Sequence, residues 1–188
     1  MKKLLTILAS LFMVSIVLTA CGSQSNSNSE KATNKATSSK KATKSIPTDA
    51  NHEWFYRDNV FYAGNETMTL TKSEVRDGAE PGTKVLVIYN TILNNSKKEQ
   101  DPSNFYMVVH AKQKNANSNV NLTPGILKSD DNGNTPLQTE SDNLNNSLLP
   151  GKTVDTVLIF KLENMNKVTL EFSNADSHVI GNKTYDVQ

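Results

Sequence analysis

The feature that most constrains this chain is a period of two. Val168, Leu170 and Phe172 alternate with polar Thr169 and Glu171, as a strand with one buried face requires. Met68-Thr69-Leu70-Thr71 repeats the alternation, and Phe105, Met107 and Val109 read as one face of another strand, with His110 pointing outward. Val85-Leu86-Val87-Ile88-Tyr89 is apolar on both faces, which suits a central strand. Val154, Thr156, Leu158, Phe160 and Leu162 share a face, and the intervening Val157 and Ile159 mark a second central candidate. Val179 to Tyr185 is a last, shorter one. Asp77-Gly78, Pro81-Gly82, Pro124-Gly125, Asn132-Gly133 and Pro150-Gly151 supply turns. No stretch of ten or more residues carries a helical period, although residues 123–146 have room for a short helical turn. Seven or so short strands with such turns predict an all-β, two-sheet antiparallel sandwich.

The N-terminus has a different logic. Lys2 and Lys3 precede an apolar run from Leu4 to Ala20, the arrangement of a secretory signal. The run ends at Leu18-Thr19-Ala20-Cys21, which resembles the lipobox of bacterial lipoproteins. The resemblance implies cleavage after Ala20 and a diacylglyceryl group on the Cys21 sulfur. Two acyl chains anchor stably where one does not. The alternative is a retained transmembrane helix, for which the run sits at the lower edge of the roughly 17–25 residues needed. Cys21 is the only cysteine, so a disulfide framework within the chain is excluded and the domain must rely on its core. Its place against the apolar run also argues against a catalytic thiol.

Residues 1–20 are thus read as signal peptide, 21–50 as lipidated cysteine plus linker, and 51–188 as the sandwich domain. Ser, Thr, Asn, Lys and Ala dominate the linker, and Lys-Ala-Thr occurs three times, at Lys31, Lys35 and Lys41. Such a composition buries too little apolar area to offset chain entropy, so disorder is expected, with a reach of about 30 Å. The overall charge of +1 hides an asymmetry. The linker holds five Lys against Glu30 and Asp49, whereas residues 51–188 hold 13 basic and 17 acidic residues. An acidic domain without basic-aromatic interleaving excludes nucleic acid as the expected partner.

Two stretches resemble an uncharacterised family of Gram-positive lipoproteins with an immunoglobulin-like domain, related to mycobacterial immunoprotective extracellular antigens. The first is Lys84 to Ser96, a hydrophobic strand running into Asn94-Asn95-Ser96. The second is Leu149-Pro150-Gly151-Lys152-Thr153-Val154, continued by Phe160 to Asn164 and by Lys167 to Phe172. The resemblance implies an immunoglobulin-like sandwich and an extracytoplasmic compartment. It implies no activity, and the Cys-Trp-Cys signature of antibody domains is absent.

Candidate chemistry is sparse. His52, His110 and His178 lack metal-ligand spacing, and no Gly-x-Ser-x-Gly elbow exists. Glu74, Asp77 and Glu80 crowd a turn, where carboxylates are usually solvated. Asp130, Asp131, Asn132 and Asn134 form an oxygen-rich loop around Gly133, with Glu140 and Asp142 close in sequence; this is a candidate calcium site, weighed against a plain Asn-Gly turn. Trp54, Phe55, Tyr56, Phe61 and Tyr62 form an aromatic cluster, either a recognition surface or a first strand packing rings inward. Trp54, nearest the linker, is the candidate binding residue.

The reading that follows is a lipid-anchored, non-enzymatic lipoprotein at the extracytoplasmic face of the cell membrane, with no cofactor. Its sandwich would bind a protein or cell-wall partner. The alternatives are a small envelope-associated enzyme with a scattered site and an accessory substrate-binding lipoprotein.

Overall fold

A computed structural model describes residues 45–188. Five strands form one antiparallel sheet in the order β1-β2-β3-β4-β7: β1 (Phe55–Arg57), β2 (Val60–Ala63), β3 (Glu66–Asp77), β4 (Lys84–Asn94) and β7 (Thr153–Lys161). Four form the other in the order β6-β5-β8-β9: β5 (Val109–Lys114), β6 (Asn119–Asn121), β8 (Val168–Ser173) and β9 (Val179–Tyr185). A 3-10 helix (Pro102–Met107) and one α-helix, α1 (Gln138–Asn145), lie in the connections. The orders β3-β4-β7 and β6-β5-β8-β9 match the A-B-E and C′-C-F-G strands of immunoglobulin sandwiches. The expected all-β sandwich is therefore the observed architecture.

The alternation decides which side chains meet. Leu86, Ile88 and Ile92 of β4, Leu158 and Phe160 of β7, and Val168, Leu170 and Phe172 of β8 all enter one core. Phe61 crosses it, 5.1 Å from Phe172 and 5.7 Å from Phe105 by ring centroids. The β1–β2 turn is Asp58-Asn59, both at positive φ (52° and 67°). That is the twist a two-residue hairpin needs, and short polar side chains tolerate it.

One strand expectation is overturned. Phe105, Met107 and Val109 do not share a face, because residues 102–107 wind into the 3-10 helix. Asp101 caps it, accepting from the Ser103 N–H at 3.0 Å, and Pro102 supplies a preset φ at its start. Phe105 is buried while Met107 is 69% exposed. β5 begins only at Val109.

Two-faced apolarity also has a physical account. Val85 and Val87 of β4 and Val157 and Ile159 of β7 point away from the main core, and with Leu127 they build a second, smaller one. Leu127 sits in a strap, residues 122–128, that pairs through residues 123–125 with the free edge of β7 and then, through residues 126–128, with Asp77–Ala79 at the end of β3. Gly125 N–H donates to the Ile159 carbonyl at 2.9 Å, and Lys161 N–H to the Thr123 carbonyl at 2.9 Å. Gly125 lies so close that a Cβ there would stand 2.9 Å from the Lys161 nitrogen. Tyr106 Oη accepts from Ile159 N–H at 3.1 Å, and Asn143 Nδ2 donates to the Asp155 carbonyl at 3.0 Å. So β7 lies at a sheet edge in its pairing yet is covered on both faces and along its margin.

Candidate functional site

The lipobox Leu18, Thr19, Ala20 and the anchoring Cys21 lie outside the described residues. Of the other candidates, the Asp130 loop closes on itself. Asp130 Oδ1 accepts from Asn132 N–H at 2.9 Å and Asn134 N–H at 2.8 Å, and Oδ2 accepts from Asn134 Nδ2 at 2.9 Å. These bonds hold its carboxyl below the ordinary carboxylate range, led by the Asn134 side chain. Asp142 accepts from Gln138 within α1 at 2.6 Å. Among the described residues no three His, Cys, Asp or Glu side chains converge as a metal-sized cluster. Asp77 and Glu80 pair with Lys84 and Lys161, and Glu74 accepts from Tyr89 Oη at 2.7 Å. His110 and His178 are exposed, and His52 lies 3.1 Å from Asp49.

The aromatic cluster packs inward for the most part. Phe61 and Tyr62 are fully buried, Phe55 stacks on Tyr62, and Tyr56 stacks on Phe172 at 3.9 Å. Trp54 is half-buried rather than exposed, edge-on to Phe61 at 6.2 Å. Gly64 makes this possible. It opens the two-residue β2–β3 turn at φ +69°, and a Cβ there would stand 2.8 Å from the Trp54 indole nitrogen.

Beside Trp54 the structure opens a cavity of about 170 Å³ between the β2–β3 turn and the 3-10 helix. Apolar side chains wall it: Trp54, Ala63, Phe105, Met107 and Val108. Neutral polar Asn65, Gln100 and Asn104 also line it, together with a single titratable residue, Glu66. Glu66 opens β3 in phase with Met68 and Leu70, so its side chain points into the sandwich. It is only 6% exposed, and Oε1 has no hydrogen-bond partner among the described residues. Burial, with a smaller push from the Asp101 charge, raises its carboxyl from the ordinary 4.5 to about 7. The arrangement is an apolar niche with one buried acceptor and no nucleophile or second acid among its lining residues.

Comparison with known proteins places the chain. The model of a family described as a domain of unknown function, DUF5067, matches residues 23–174. The chain belongs to this family. The fold is similar to that of a candidate lipoprotein from Staphylococcus aureus subsp. aureus NCTC 8325. The TM-score is 0.61 at 14% identity, over 71% of this chain and 92% of that one. It is also similar to a protein from Enterococcus faecalis solved by NMR, with a TM-score of 0.59 at 15% identity over 74% and 97% of the two chains. No curated protein matches the sequence.

Glu66 carried a signal in this DUF5067 chain that the strand pattern alone passes over. Extending the Met68–Leu70 phase back two places puts a carboxylate on the core face, where charge is rare unless partnered. Gln113 is a similar case with a structural outcome. Fully buried, it donates to the Asn164 and Asn166 carbonyls and accepts from Glu163 N–H, pinning the β7–β8 connection.

Proposed function

We propose that this protein is a lipid-anchored lipoprotein of the extracytoplasmic membrane face whose sandwich is a non-enzymatic binding module for a protein or wall partner. The lipobox-like Leu18-Thr19-Ala20-Cys21 supports the anchor, as does the fold shared with a candidate lipoprotein. The kinship with mycobacterial immunoprotective antigens belongs to the same reading, supported by the stretches around Leu149–Val154 and Lys167–Phe172.

The observation that carries the binding half is the cavity beside Trp54, which offers apolar walls, three amides and one buried carboxyl but no catalytic pair. The raised Glu66 carboxyl favours one competing reading, a small envelope-associated enzyme using it as general acid or base. That chemistry would need a second group, and the cavity lining contains none.

The anchor is tested by fractionating cells that express Cys21→Ser. The variant is expected to leave the membrane or stay uncleaved, with the sandwich folded. If it remains membrane-bound at mature size, the anchor reading fails. Binding is tested by capture from envelope with wild type and with Asn104→Trp, which plugs the cavity from an exposed rim position. Equal capture by both would remove the cavity from the reading.

A further inference from the structure

Glu66 is an acceptor held ready without a donor. A buried carboxylate is normally matched by hydrogen bonds or a cation, because ionising it unpartnered costs several kcal/mol. Here Oε1 is enclosed and no described residue donates to it. The three neutral amides that line the niche, Asn65, Gln100 and Asn104, make no hydrogen bond to it among the described contacts. The charge acting on Glu66 is another anion, Asp101, and no Lys, Arg or His lines the cavity.

The walls restrict what can enter. At about 170 Å³ the niche falls below the roughly 300–1,000 Å³ of sites that enclose a drug-sized ligand. It suits a single short stem ending in one polar group. Trp54 and Phe105 offer rings, and Met107, 69% exposed, offers a thioether that adapts to an alkyl chain. The indole also attracts a cation. An anion would meet the Glu66 carboxyl, with the Asp101 charge acting on it, and no compensating cation among the lining residues. A purely apolar group would leave the Glu66 carboxyl without a donor. A quaternary ammonium would supply charge but no N–H donor.

We propose that the cavity between Trp54 and Met107 binds a primary alkylammonium group, with its N–H donors on Glu66 and its stem against the Trp54 and Phe105 rings. This rests on the binding-module reading and names its ligand chemistry. A lysine side chain of a polypeptide and a free alkylamine both carry that group.

Trp54 is the only tryptophan in the chain, so its emission reports on the cavity. The full-length protein in non-ionic detergent is titrated at about pH 8 with n-pentylamine, pentan-1-ol and pentyltrimethylammonium. Pentylamine is expected to change the emission saturably, about tenfold tighter than either control, the worth of a charge-assisted hydrogen bond. At about pH 5 that preference is expected to vanish, because Glu66 then holds its proton. Asp101, at the start of the 3-10 helix, is the other charged group acting on Glu66. Glu66→Gln, its fold checked by circular dichroism, should lose the preference at both pH values.

Nα-acetyl-lysine amide distinguishes the sources. Binding like pentylamine supports a polypeptide lysine, and exclusion while pentylamine binds supports a free amine. Equal binding of alcohol and amine overturns the proposal, a comparison that needs no variant. So does pentylamine binding unaltered by Glu66→Gln, or no response of Trp54. If the amine fails while Asn104→Trp still abolishes envelope capture, the ligand class is wrong and the binding module stands. If capture is also insensitive to Asn104→Trp, both fall.

Discussion

The outer faces of the two sheets obey opposite rules. On the five-stranded sheet, Val85, Val87, Val157 and Ile159 turn outward and are buried under Leu127 of the strap, with Leu137 and Tyr89 packed alongside. On the four-stranded sheet, Lys112, Thr169, Glu171 and Thr184 turn outward along a broad polar groove of about 850 Å³. Lys112 and Glu171 meet there at 2.7 Å. β4 and β7 of the first sheet therefore read as apolar runs, whereas β5 and β8 of the second alternate. An apolar run thus reports how many faces are covered, and pairing is a separate matter. β7 has neighbours above and below but a strand on one side only.

The largest test of that contrast is a charge on each outer face. Val87→Asp, at a fully buried site, is expected to cost about 4 kcal/mol or more and to leave the protein largely unfolded. Thr169→Asp should shift stability by about 0.5 kcal/mol or less. Urea denaturation followed by circular dichroism measures both, and comparable losses would break the comparison. Next in size is the cover itself. Leu127→Ala should cost about 3 kcal/mol, because it opens a void over Val85 and Val87 in the second core. A loss below about 1 kcal/mol would mean that the strap is not what buries that face.

A third test compares two glutamates, one facing the core and one on the polar face. Glu66 holds its proton in the folded state up to about pH 7, against an ordinary 4.5, so the wild type should lose stability as pH rises between those values and then level off. Glu66→Gln lacks that loss. It should be more stable than wild type at about pH 8 by the order of 1–2 kcal/mol, and no more stable near pH 4.5. Glu171→Gln should show no such gain at either pH, and a matching gain there would erase the distinction. The smallest effect is Lys112→Ala, which removes a half-exposed ion pair and should cost about 0.5 kcal/mol, less in high salt.

Several elements were legible because their signal is local. β8 starts with the alternation at Val168 and runs one residue past it to Ser173, and β9 spans the last strand candidate, residues 179–185. β4 is central in burial and in pairing, as Val85–Tyr89 reads. The i, i+2 spacing of Phe105, Met107 and Val109 fits a strand, but the Asp101-Pro102 start winds residues 102–107 into a 3-10 turn instead. Nearness to the linker singles out Trp54 as the candidate binding residue, and the structure makes it half-buried. Its actual place depends on Gly64, ten residues away, which leaves room for the indole against a tight turn.

By itself the sequence determined what rests on period and local chemistry: the strand faces, the turns, the single cysteine set against an apolar run, and hence a two-sheet sandwich without disulfides. The tertiary structure alone decided which covered strand lies at an edge and what fills that edge. It also decided that Trp54, Glu66 and residues of the 3-10 helix line one cavity, and that a Glu66 carboxyl oxygen is left unpaired beside them. The reason is range: a strand's faces follow from residues two apart, while a cavity follows from three segments brought together only when the sandwich closes.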